Sequence, residues 1–132
     1  MCIRDSVWGG DNGFYAQKLG IKRSQIMNRF ATILKAGITI TGGSDWYVTP
    51  LNAMQSINAA INHHNPQERL TLAQAIDIYT KNAAWLNFEE NITGQIKTGF
   101  QADLSIYSLP LETETSQLRY VIREGEIEYA ER

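Results

Sequence analysis

Between residues 24 and 87 the apolar spacing is helical except at one place. Gly37-Ile38-Thr39-Ile40-Thr41 sets two β-branched isoleucines a residue apart, and Gly42-Gly43-Ser44-Asp45-Trp46 ends the run. This exception limits the folds open to the chain, because one strand among helices has no sheet of its own and its edges must find neighbours. The stretch is expected to be one buried strand of a parallel α/β sheet whose other strands lie outside this sequence. Asp45 falls at its C-terminal end, where parallel sheets open their reactive face.

The flanking segments set the order helix, strand, helix, helix, then several short strands. A short helix around Phe14, Tyr15 and Leu19 stops at Gly20, and Ser24 is expected to cap a second one running to about Lys35, with Ile26, Met27, Phe30, Ile33 and Leu34 on one side. Thr49-Pro50 opens a third helix whose inner face is Leu51, Met54, Ile57 and Ile61, and His63-His64-Asn65-Pro66 ends it. Thr71 and Gln74 form a Thr-x-x-Gln capping box before a stripe of Ala75, Ile76, Tyr79, Ala83 and Leu86. After Asn87 the period changes. Residues 102–107 alternate as a strand, and Glu124-Gly125 is a two-residue hairpin turn between residues 119–123 and 126–129.

Composition removes several classes of function. Twelve Lys and Arg against fourteen Asp and Glu leave a formal charge of −2, interspersed along the chain, so no basic face is available to hold nucleic acid. No apolar run has the length to span a bilayer, and no basic-then-apolar signal opens the chain; a cytoplasmic location is expected, in line with the single cysteine, Cys2. Residues 1–6 lack any periodicity and read as a non-native leader.

Asp45 is the main candidate for chemistry, as a metal ligand or a proton acceptor, with the alternative that Ser44 and Asp45 only cap the segment that follows. His63 and His64 are neighbours whose side chains diverge by about a hundred degrees on a helix, so they do not converge on one ion and read as solvated helix-end residues. A triad of Ser44, His63 and Asp45 is rejected, since no Gly-x-Ser-x-Gly elbow is present and the serine abuts its supposed orienting acid. The glycines match neither a phosphate loop nor a dinucleotide fingerprint. Trp46 and Tyr47 are expected to close the core from above, and Asp103 to bond backbone amides at a strand entry.

In order, Gly43-Ser44-Asp45-Trp46, Asn65-Pro66-Gln67-Glu68-Arg69-Leu70-Thr71, Tyr79-Thr80, Ala83-Ala84, Gly94-Gln95-Ile96 and the run from Gly99 to Leu104 resemble the C-terminal end of an amidohydrolase over roughly residues 11 to 129. The nearest likeness is to the amidohydrolase 3 branch, which includes the N-substituted formamide deformylase-like enzymes. The resemblance implies a C-terminal part of a metal-dependent (β/α)8 TIM barrel in residues 7–90, with Gly37 to Thr41 as its last strand, and the terminal strands of a composite β-sandwich in residues 91–132. It implies hydrolysis of a carbon–nitrogen bond in a small amide-like substrate, a divalent metal such as zinc, and a role for Asp45 as metal contact and acceptor of the proton from the attacking water. The sequence departs from the family at Tyr47, where proline is common, and at Phe100, where lysine is common. The first-strand His-x-His pair, the bridging lysine or acid and the two later histidines have no counterparts, so this piece alone is expected to be inactive. Two other readings stand beside it: an interaction module pairing through its strand edges, and a catalytically dead relative kept for binding. Oligomeric state is left open.

Overall fold

Residues 8–111, 113 and 115–131 are described in the computed structural model, and the leader expected at residues 1–6 lies outside them. Two compact units are present, one ending at Tyr79 and the other beginning at Thr80.

The first unit is helical. Helix α1, Phe14–Leu19, ends at Gly20, whose φ of 81° and amide bond to the Ala16 carbonyl stop the helix where the glycine predicts. The next two helices differ from expectation. Ser24 ends α2, Ile21–Ser24, instead of capping a longer helix, and its buried hydroxyl donates to the Ile21 carbonyl at 2.8 Å. A turn follows, with Asn28 left-handed at φ 54°, before α3, Phe30–Lys35, begins. The apolar spacing from Ile26 to Leu34 continues through this break, which is why periodicity alone reads one helix where the backbone makes two.

Helix α4, Ala53–Ile61, starts three residues later than Pro50 suggests, because the Asn52 carboxamide is the cap: its oxygen accepts the Gln55 amide at 3.1 Å. Leu51 therefore stands outside the helix and is 72% exposed. A 3-10 turn, Pro66–Glu68, leads to α5, Leu72–Tyr79. The capping box before α5 closes in both directions, the Gln74 amide donating to the Thr71 hydroxyl at 3.2 Å and the Thr71 amide to the Gln74 side chain at 3.0 Å. Phe30, Ala31, Ile57, Ala60, Leu70, Ala75 and Ile78 form the core of this unit, with Ile40, Met54 and Tyr79 packed against it.

Residues 38–44 form no strand. This corrects the expectation for residues 37–41, and also its burial: Ile38 is exposed and only Ile40 reaches the core. A strand is defined by its ladder, and the sheet among the described residues is built elsewhere, by β1 to β3 of the second unit. The segment instead meets the end of α5, where the Gly42 amide donates to the Ile78 carbonyl at 3.1 Å.

The second unit opens with α6, Lys81–Leu86, and continues into an antiparallel sheet of β1, Leu104–Tyr107, β2, Leu118–Arg123, and β3, Glu126–Ala130, in the order β1-β2-β3. Glu124 and Gly125 are both left-handed, at φ 53° and 87°, as a tight hairpin of this hand requires. Asp103 ties the preceding loop to that hairpin. One carboxylate oxygen accepts the Glu124 amide at 2.8 Å, and the other accepts Gln101 Nε2 at 2.8 Å and the Thr93 hydroxyl at 3.2 Å. The Glu124 amide bond is the main reason that its carboxyl is held below the usual carboxylate range. The strand-entry role expected for Asp103 is the one observed.

Candidate functional site

Asp45 sits on a tight turn. Its φ is 52°, a left-handed conformation that aspartate tolerates better than most side chains, and its carbonyl accepts the Val48 amide at 2.7 Å. The Thr49 hydroxyl, buried, donates to the Ser44 carbonyl and closes the loop from the other side. The result is an exposed carboxylate on a backbone fixed at both ends. What pins the approach to this turn is a close contact: a Cβ built on Gly42 would lie 2.3 Å from Tyr79 Cζ, so only glycine lets the segment lie against the ring.

Trp46 and Tyr47 do not close the core. They are 66% and 86% exposed, because the turn carries them outward with Asp45. No three His, Cys, Asp or Glu side chains among the described residues are placed to hold one metal ion. A catalytic zinc takes about three protein ligands, so the donors present here do not by themselves fit a metal site. Asp45 offers one anionic ligand or one proton acceptor.

The histidines also depart from expectation. His63 is 1% exposed, with its ring edge-on to Phe30 at 5.4 Å and stacked on His64 at 4.2 Å. His63 Nδ1 lies 3.0 Å from the Asn65 amide and 3.2 Å from the Asn65 carbonyl, so it accepts from the first when unprotonated and donates to the second when it carries the proton. A carbonyl can only accept, so His64 donates through Nε2 to Ser24 at 3.3 Å. His63 Nε2 and His64 Nδ1 are buried without a hydrogen-bond partner among the described residues. Burial pushes the His63 pKa below its ordinary 6.5, and His64 adds to this, while the Asn65 carbonyl and Glu68 pull the other way.

Glu68, buried, was not singled out in the sequence. Its carboxylate accepts the Thr32 amide at 2.9 Å and the Thr32 hydroxyl at 2.5 Å, capping the first turn of α3 from 36 residues away. Burial alone would raise its pKa, but these two bonds, with Arg29 at 3.9 Å, outweigh it and hold the carboxyl below its usual value. No local pattern marks such a partner; the only signal is an acidic residue flanked by Pro66 and Leu70 in an otherwise well-packed segment.

Comparison with known proteins places these features in a wider frame. The model of the Amidohydrolase family matches residues 2–129. Among curated proteins, "Putative amidohydrolase YtcJ" of Bacillus subtilis (strain 168) is 26% identical over an alignment covering 85% of this chain, and the chain spans about a quarter, 24%, of that relative's length. The crystal structure of an amidohydrolase from Thermotoga maritima MSB8 superposes with a TM-score of 0.71 at 24% identity, over 95% of this chain and 30% of that one, which shows a shared fold. With nearly its whole length matched by the family model, this chain belongs to the amidohydrolase family.

Proposed function

We propose that this chain is the C-terminal portion of a metal-dependent hydrolase that cleaves the carbon–nitrogen bond of a small non-peptide amide, in the branch that includes the N-substituted formamide deformylase-like enzymes. The observation that supports it most is the family match over residues 2–129. In this reading residues 7–90 belong to a (β/α)8 barrel and residues 91–132 to a composite β-sandwich. Residues 37–41 would be the last barrel stave, left without a ladder while its neighbours lie outside this chain.

Asp45 is the residue this chain contributes to the chemistry. Its carboxylate would help hold the ion and would serve as a proton acceptor for the attacking water, a role suited to an exposed anionic group on a rigid turn. A divalent ion, zinc in the simplest case, would supply Lewis acidity, and its other ligands would come from polypeptide outside this chain, since the donors present do not fit the ion alone. The test compares this 132-residue chain with a polypeptide extended upstream in the same frame, for zinc content and amide hydrolysis. Zinc and turnover in the extended form only is the expected result. Stoichiometric zinc with turnover in the short chain would overturn the reading, and a folded short chain that binds a partner strand while the extended form lacks turnover would favour an interaction module.

A further inference from the structure

The loop before α1 joins a reactive pair of residues to several ties that hold it still. Asn12-Gly13 is the one Asn-Gly pair in the sequence, every other asparagine being followed by a residue that carries a side chain. Packing demands the glycine: a Cβ at Gly13 would overlap the carbonyl oxygens of Gly9 and Trp8. Asn12, which is exposed, is therefore left beside the least hindered amide nitrogen a neighbour can offer. That amide donates to the Gly10 carbonyl at 3.1 Å and closes a β-turn with Asp11 and Asn12 at its centre. Gln17 Nε2 donates to the Asn12 carbonyl at 3.2 Å, Gln25 Nε2 to Asp11 Oδ1 at 2.6 Å, and the Trp8 ring meets Phe14 and Tyr15 across the loop at 5.4 and 5.9 Å.

We propose that Asn12 is a self-deamidation site gated by this turn, slow while Gly10 holds the Gly13 amide and fast once the turn opens. In the reaction the Gly13 nitrogen loses its proton to solvent base and attacks Cγ of Asn12. A new C–N bond forms, the Cγ–Nδ2 bond breaks, and ammonia leaves with a proton from water. The cyclic succinimide then takes up water at either carbonyl and becomes aspartate or isoaspartate, so the net change is one water in and one ammonia out. The closed turn opposes the first step twice. The hydrogen that must be lost is the one donated to Gly10, and the bonds from Gln17 and Gln25 restrain the rotation at Asn12 that would bring the nitrogen to Cγ. The products do not restore these ties. Isoaspartate routes the backbone through Cβ, one atom longer between Gly10 and Gly13, and turns the carbonyl held by Gln17 into a side-chain carboxylate; aspartate keeps the backbone but sets a second carboxylate beside Asp11. The change falls on the start of α1, whose first bond runs from the Gln17 amide to the Gly13 carbonyl at 3.1 Å.

Peptide mapping by mass spectrometry tests this on the 132-residue chain, incubated at mildly alkaline pH in buffer and in concentrated guanidinium chloride. In denaturant Asn12 should show the amide-to-acid mass change before any other asparagine, with its aspartate and isoaspartate peptides separating by chromatography. In buffer the rate at Asn12 should be lower by roughly tenfold or more, because the turn must open before the nitrogen can attack. Gln25→Ala removes a tie outside the reactive pair and should raise the rate in buffer while leaving the rate in denaturant unchanged. Equal rates in buffer and denaturant, another asparagine reacting first in denaturant, or a folded Gln25→Ala chain reacting no faster than its parent in buffer would each overturn the gate. If Gln25→Ala does not fold, the parent chain's two rates decide the matter alone.

Discussion

Gly42 and Tyr79 show how one missing side chain positions the turn that bears Asp45. With a Cβ at Gly42 only 2.3 Å from Tyr79 Cζ, Gly42→Ala must push apart the 38–44 segment and the end of α5. A cost of about 1–3 kcal/mol is expected from overpacking, read as a lower urea midpoint with an unchanged slope, and Tyr79→Leu in the same chain should recover part of it. Glu68 is the second residue with long reach. Glu68→Gln leaves a carboxamide with one acceptor facing two donors of Thr32, and should cost on the order of 1–3 kcal/mol by the same measurement.

At the level of elements, caps and turns decide where structure starts. Thr71→Ala removes the acceptor for the Gln74 amide and should destabilise α5 by roughly 0.5–2 kcal/mol, since propensity does not replace a lost cap. Asp103→Ala should speed amide exchange at Glu124 and loosen the hairpin joining β2 and β3, without affecting α5, because its bonds all lie within the second unit. These devices were legible in the sequence for one reason: Thr71 with Gln74 and Glu124 with Gly125 act over a few residues. The same local reading failed where distant partners decide. Ser24 has the chemistry of a cap, yet the left-handed Asn28 breaks the expected helix after it, and His63 looks like a solvated helix end until Phe30 and His64 enclose it. The Ile38–Ile40 pattern read as a buried strand, but burial and pairing need neighbours, and here Ile38 is exposed. The family membership was legible through motifs whose structural roles the fold now explains: Gly94 must lack a Cβ because Ala84 Cβ would lie 2.7 Å from it.

Across the whole molecule, acid acts with the same sign through His63, Glu68 and Asp103. His63 has its folded pKa below the ordinary 6.5, so the unfolded chain binds the proton first; the stabilisation is complete above about 6.5 and is lost as pH falls below it. Glu68 is lowered from 4.5, so its contribution holds above that value and fades as pH falls through the folded pKa. Urea midpoints at pH 7.5, 5.5 and 3.5 should therefore fall in two steps, the first reduced in His63→Asn and the second in Glu68→Gln. No helix among the described residues is long and apolar enough to cross a membrane. The central claim concerns Asp45, and the most direct measurement is amide hydrolysis by the upstream-extended polypeptide with zinc supplied, compared with its Asp45→Asn variant. The account predicts a loss of about 10²–10⁴-fold in kcat/KM with the fold retained, as expected for removal of a proton acceptor; equal turnover in the variant would contradict it.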